Sequence, residues 1–199
     1  PSASVAVAES AIRPGRSVDG HLLDLWADMT GLTADRPPAA WPVPASWQRA
    51  ADDALTACGA DPGRPIFLLH PGSGSVGKCW PRERFIELAR HLAGRGQAVF
   101  VLGPVEVETW ARGAVDELAS AGAVITTPRV GTLAALCVRS ACYAGNDSGV
   151  SHLAAAVGVP TVALFGPTRS EQFAPVGPSV RTIQVDDRAG LGVRPVLDE

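Results

Sequence analysis

The chain has 199 residues, 46% of them hydrophobic and 19% charged, with a formal net charge of −3 at pH 7. Those values are ordinary for a soluble globular domain. Gly or Pro interrupts every apolar run well short of the roughly 20 residues a membrane-spanning helix needs, and the lack of basic clusters sets nucleic acid aside as a main partner.

No basic-then-apolar leader opens the sequence, so a cytoplasmic location is expected, with peripheral association at the inner face of the membrane still compatible. The four cysteines, Cys58, Cys79, Cys137 and Cys142, have no C-x-x-C spacing and are expected as free thiols in a reducing compartment. Lysine and arginine together number 17, yet Lys78 is the only lysine. Arginine serves wherever a cation suffices. A solitary lysine in a glycine-rich loop therefore points to a place that needs a compact ammonium rather than a planar fork.

Residues 1–62 differ in character from the remainder of the chain. A short strand is expected over 4–8 and an amphipathic helix over 21–29, ended by Gly31. The run Arg36-Pro37-Pro38-Ala39-Ala40-Trp41-Pro42-Val43-Pro44 is a proline-rich connector that cannot continue a helix. Ser46 is a candidate N-cap for a helix running to Cys58, with Gly59 as its stop. This segment is expected to be a linker with short helices rather than a complete domain.

From residue 63 the pattern becomes regular. Residues 66–70 are a short apolar strand leading into a glycine-rich loop. A helix over 81–93 comes next, with Pro81 near its first turn and Phe85, Leu88, Ala89 and Leu92 on one face. Strands at 97–102, 123–126, 141–144 and 161–165 then alternate with helices at 107–119, 132–139 and 150–157, and 181–185 adds an edge strand. Short apolar strands alternating with helices imply an α/β fold with a parallel sheet covered on both faces. Ligands of such sheets bind beyond the carboxyl ends of the strands, which selects the loops at 71–80, 103–106, 145–149 and 166–169.

The first of these loops, Gly72-Ser73-Gly74-Ser75-Val76-Gly77-Lys78-Cys79, nearly matches the Walker pattern G-x-x-x-x-G-K-[ST]. Cys79 replaces the hydroxyl that holds magnesium, and Trp80-Pro81 delays the helix that a Walker lysine should open. The loop is read instead as an anion cradle in which backbone N–H groups and Lys78 face a diphosphate. A surface loop with an incidental lysine is the alternative. The third loop, Gly145-Asn146-Asp147-Ser148-Gly149-Val150-Ser151-His152, joins a strand to a helix. Asp147 or Ser148 can cap that helix, and the N–H groups behind them attract anions. The Asp147 carboxylate would repel a phosphate but suits sugar hydroxyls, which donate to it. His152 lies about one turn after Ser148 and can face the same crevice. No serine here fits the G-x-S-x-G elbow of a hydrolase.

Four blocks in order resemble glycosyltransferase family 9, the ADP-heptose:lipopolysaccharide heptosyltransferases and their relatives. They are His70-Pro71-Gly72-Ser73-Gly74, Lys78-Cys79-Trp80-Pro81, Gly145 to Ala156, and Pro160 to Thr168. The resemblance implies a Rossmann-like parallel sheet with helices on both faces, the C-terminal domain of a GT-B glycosyltransferase. That domain would span 63–187, with 188–199 as a tail and 1–62 connecting to, or left from, an acceptor domain.

The resemblance also implies site roles. Lys78 would meet the donor's phosphates, Glu106 the ribose, and Asp147 the transferred sugar. Ser73, Gly74, Ser148, Gly149, Val150, His152 and Thr168 would complete the donor site. The general base is expected in an N-terminal domain outside this sequence, since some 60 leading residues are too few for a second Rossmann unit. The implied reaction is inverting transfer of a sugar from a nucleoside diphosphate, an ADP-sugar by resemblance, to a glycan or glycolipid hydroxyl. No cofactor or metal site is called for, although magnesium is compatible with the diphosphate. Two alternatives stand beside this: a non-catalytic nucleotide-sugar-binding module needing a separate acceptor domain or subunit, and a nucleotide-sugar epimerase.

Overall fold

A computed structural model describes residues 20–24, 40–111, 113–185 and 190–198. The strand expected at 4–8 and most of the helix expected at 21–29 lie outside the described residues. Six strands, β1 (Ile66–His70), β2 (Gln97–Leu102), β3 (Ala123–Thr126), β4 (Cys142–Asn146), β5 (Thr161–Phe165) and β6 (Val180–Gln184), form one sheet in the order β3-β2-β1-β4-β5-β6. Every neighbouring pair is parallel. The chain winds outward from β1 in one direction, then returns to the other side of β1 through β4. This order is Rossmann-like, as is the sheet that the resemblance implied, and its reversal point lies between β1 and β4.

The helices are α1 (Ala45–Ala57), α2 (Arg82–Leu92), α3 (Pro104–Thr109), α4 (Ala114–Ala119), α5 (Val130–Arg139), α6 (Gly149–Ala156), α7 (Ser170–Phe173) and α8 (Arg194–Leu197). Strand side chains alternate between faces, and here both sets are apolar because both faces are covered. Leu68, Val99, Val101 and Tyr143 pack with α1, α5 and α6. Leu69, Ala98, Phe100, Leu102 and Ala144 pack with α2, α4 and the C-terminal residues Leu191, Val193 and Val196. Helix α1 is thus part of the core, with Ala51 and Leu55 buried and the Trp47 indole lying against Gly131 of α5. Among the described residues no helix is long and apolar enough to cross a membrane.

Two local expectations are corrected. Ser46 does not cap α1. The cap lies two residues earlier, at Pro44, and the helix starts at Ala45, because Pro44 is held at φ −59° and ψ 145° and its carbonyl accepts from the N–H groups of Trp47 and Gln48. Nor does one helix run over 107–119. The segment starts at Pro104, with Glu106 bonded back to the Gly103 N–H at 2.7 Å. It then breaks at Trp110, which is extended, and resumes after Gly113, whose φ is +99°. Proline at the first helical position with an acidic residue two places on is a start signal that the apolar periodicity concealed.

The sheet is tightly packed at its reversal point. A Cβ on Gly145 would collide with the Tyr143 hydroxyl and lie 3.1 Å from the His70 carbonyl. Tyr143 is fully buried, and its hydroxyl shares a 3.1 Å hydrogen bond with Ser151, so it cannot step aside. Gly145→Ala is therefore expected to destabilise the fold by about 1–3 kcal/mol through overpacking, read as a lower urea midpoint at unchanged slope.

Candidate functional site

The loop after β1 is tied down by a side chain from β4. Asn146 is fully buried. Its Oδ1 accepts from the Trp80 backbone N–H at 2.8 Å, and its Nδ2 donates to the carbonyls of Pro71 and Gly72 at 2.9 and 3.2 Å. Trp80 is itself fully buried. Its indole N–H donates to the Leu191 carbonyl at 3.0 Å, and its ring meets Phe85 edge-on at a centroid distance of 5.0 Å. The loop is thus fixed at both ends while its middle, residues 74–77, stays exposed and turns through a short 3-10 segment, Val76–Lys78. The start of α2 only at Arg82 separates this loop from a Walker loop, as Trp80-Pro81 implied.

That turn delivers Lys78 to Asp147. The ammonium Nζ donates to Asp147 Oδ2 at 2.7 Å, with the two side chains 32% and 9% exposed. Thr168, in the loop after β5, donates to the same oxygen at 2.6 Å, and Ser73 Oγ donates to the Asp147 carbonyl at 2.8 Å. Three loops, after β1, β4 and β5, therefore meet on one aspartate. A charge-assisted bond of this kind is roughly twice as strong as a neutral one.

Neither Asp147 nor Ser148 caps α6 through its side chain, contrary to expectation. Ser148 is the N-cap residue but makes no cap bond, because its hydroxyl lies 3.4 Å from His70 Nδ1 and the Asp147 carboxylate is taken by Lys78 and Thr168. The first N–H groups of α6, at Gly149 and Val150, have no partner within the helix.

Those N–H groups border a cleft of about 630 Å³. Of the ten residues assigned to the site by sequence, Ser73, Gly74, Glu106, Ser148, Gly149, Val150 and His152 line this cleft; Lys78, Asp147 and Thr168 cluster beside it, joined to it through Ser73. Trp41, Val105, Val130, Leu133 and Leu153 supply apolar wall. Glu106 is buried; one oxygen accepts the Gly103 N–H, and a Cβ at Gly72 would collide with the carboxylate. Only glycine lets the loop pass over it.

His70, at the end of β1, lies beneath this cleft. Burial lowers its pKa from 6.5 to about 4, so the imidazole is neutral at pH 7. Its 3.9 Å approach to Glu106 is accordingly not an ion pair. His152 is exposed at the rim; desolvation lowers its pKa, and the nearby Asp147 charge opposes that shift. The four cysteines are free thiols, and burial pushes Cys137 up to about 12. Among the described residues no group of three His, Cys, Asp or Glu is placed to hold a metal ion.

The family-wide profile of glycosyltransferase family 9 (heptosyltransferase) matches residues 20–191. The chain belongs to glycosyltransferase family 9. It is 31% identical over 128 residues to lipopolysaccharide heptosyltransferase 1 of Pseudomonas aeruginosa, a match covering 64% of this chain and 36% of that one. The chain thus spans little more than a third of that curated relative. The fold recurs in the family 9 glycosyltransferase structure from Veillonella parvula, with a TM-score of 0.77 at 22% identity over 91% of this chain and 59% of that one. It recurs also in an Escherichia coli heptosyltransferase solved with ADP, with a TM-score of 0.63 at 22% identity, covering 88% of this chain and 53% of that one.

For this family 9 chain, sequence reasoning missed Asn146, Trp80 and His70 as parts of the site. The available signal was chemical: a carboxamide ending a buried strand must find partners for its donors and acceptor.

Asn146→Ala is expected to strip three loop backbone groups of their partner and cost roughly 3 kcal/mol, measured by urea unfolding. A second expectation concerns acid. Between pH 6.5 and about 4 the unfolded chain takes up a proton at residue 70 that the folded chain refuses. Stability from His70 is complete above about 6.5 and falls as the pH drops, by roughly 3 kcal/mol once below 4. Unfolding midpoints at pH 7 and pH 4.5 should converge in His70→Gln relative to the parent chain.

Proposed function

We propose that this chain is the donor-binding half of an inverting sugar transferase, holding a nucleoside diphosphate sugar for attack by an acceptor hydroxyl. The observation that carries this reading is the meeting of Lys78, Asp147 and the open N-terminus of α6 at the reversal point of the sheet. A diphosphate there receives backbone donors and the positive end of the helix dipole. As the acceptor oxygen bonds to the sugar's anomeric carbon, the bond from that carbon to the phosphate oxygen breaks. Negative charge grows on the leaving diphosphate, where Lys78 and the α6 N–H groups stabilise it. The acceptor's proton goes to a base outside this chain.

Lys78 is already paired with Asp147, so a phosphate reaching it joins or competes with that pair. This favours a division of labour in which Asp147 turns its remaining lone pairs to sugar hydroxyls while Lys78 faces the phosphates. Glu106 keeps lone pairs for a ribose, and Val105, Val130 and Leu133 suit the faces of a nucleobase. Escherichia coli heptosyltransferase structures were solved with ADP and with ADP-2-deoxy-2-fluoro heptose. An ADP-heptose-like donor and a lipopolysaccharide-type acceptor are therefore the first substrates to try, together with an acceptor-binding domain. No step is assigned to a metal.

Calorimetric titration tests the reading. Lys78→Ala should weaken ADP binding by on the order of 1–3 kcal/mol in a chain that still folds, although loss of the Asp147 pair lowers its melting temperature; unchanged affinity would sink the role given to it. In the same titration Asp147→Asn should bind ADP as well as or better than the parent chain but lose affinity for the ADP-sugar. Equal loss for both ligands would contradict the division of labour.

A further inference from the structure

The proposed nucleoside contact, Glu106, comes after β2, and Ser148, the N-cap residue of the helix whose N–H groups are proposed to meet the diphosphate, comes after β4. Strand β1 lies between them in the sheet, and His70 is its last residue. The imidazole touches both sides. Its Nδ1 is 3.4 Å from Ser148 Oγ and its Nε2 is 3.9 Å from Glu106 Oε2. The side chain is only 5% exposed, yet it lines the same cleft as its two neighbours.

An uncharged imidazole has one acceptor and one donor nitrogen, on opposite sides of the ring. With Nδ1 accepting the Ser148 hydroxyl, the proton sits on Nε2 and faces the Glu106 carboxylate. Both contacts are longer than a well-formed hydrogen bond, so each can tighten when a ligand loads its side. The ring's fixed geometry then carries a shift at one contact to the other. We infer that His70 is a positioning residue that couples the two halves of the donor site, so that a ribose held by Glu106 sets Ser148 and the α6 N-terminus for the diphosphate. The inference rests on the proposed donor site and adds to it a dependence between its subsites.

A histidine that merely filled space would, on removal, weaken every ligand alike and leave the subsites independent. A double-mutant cycle separates the two cases. ADP affinity is measured by calorimetry for the parent chain, Glu106→Gln, Ser148→Ala and the double variant, and the cycle is repeated in His70→Leu. The two single losses in the parent background should multiply to a value that departs from the double variant's loss by about 10-fold. In His70→Leu they should simply multiply.

If His70→Leu does not fold, His70→Gln and His70→Asn replace it; each can preserve one contact and not both, so coupling should vanish in each. Independent losses in the parent chain, or coupling that survives replacement of His70, would overturn the inference. No ADP binding by the parent chain would overturn the donor-site reading and the inference together, and it would be evident before any variant was made.

Discussion

The carboxamide of Asn146 satisfies a backbone N–H and two carbonyls of a loop that belongs to the neighbouring strand. Backbone groups buried without partners are costly, and the β1 loop makes no ladder of its own here. One side chain therefore decides where that loop runs. With its ends pinned at Pro71 and Trp80, the intervening turn has few ways to go, and Lys78 arrives beside Asp147, the residue next to Asn146. The anchor and the charge it positions are adjacent in sequence. The spacing between the glycine loop and the Asn-Asp-Ser-Gly turn is thus fixed by hydrogen bonds, independent of any ligand.

The electrostatics derive from the same arrangement. Backbone donors at the start of α6, a lysine, and no competing side-chain cap would attract any anion. Asp147 offsets that attraction where it meets Lys78, and the neutral His70 adds no positive charge beneath. The result is a group of directional donors in which the one lysine is balanced by Asp147. Such an arrangement favours ligands by the pattern of their hydrogen bonds rather than by total charge.

Much of this was legible in the sequence. The apolar runs gave β1, β2, β3 and β5 to the residue, because each is a short apolar run flanked by Gly or Pro. The four loops at the carboxyl ends of the strands could be picked out without the sheet order, since that rule depends only on parallel strands. Seven cleft-lining residues and the Lys78–Asp147–Thr168 cluster came from motif spacing and resemblance. What was hidden required three dimensions. Nothing local in Gly145-Asn146-Asp147 says that the asparagine reaches back some 70 residues. Nothing in Ile66-Phe67-Leu68-Leu69-His70 says that its final residue lies between Glu106 and Ser148, because that depends on β1 being central. The early start of α3 is encoded by the capping signal Gly103-Pro104-Val105-Glu106, which the apolar periodicity beginning at Val107 conceals.

The solitary lysine has a practical consequence. Within these 199 residues only one side chain carries an aliphatic amine, and it is 32% exposed where it pairs with Asp147. Amine-directed acylation would therefore mark that position alone among the side chains, and a lysine-specific protease would cut the chain once, between the Pro71 and Trp80 anchors of the loop after β1. A composition bias toward arginine has left the molecule with a built-in chemical address for the place where its three loops meet.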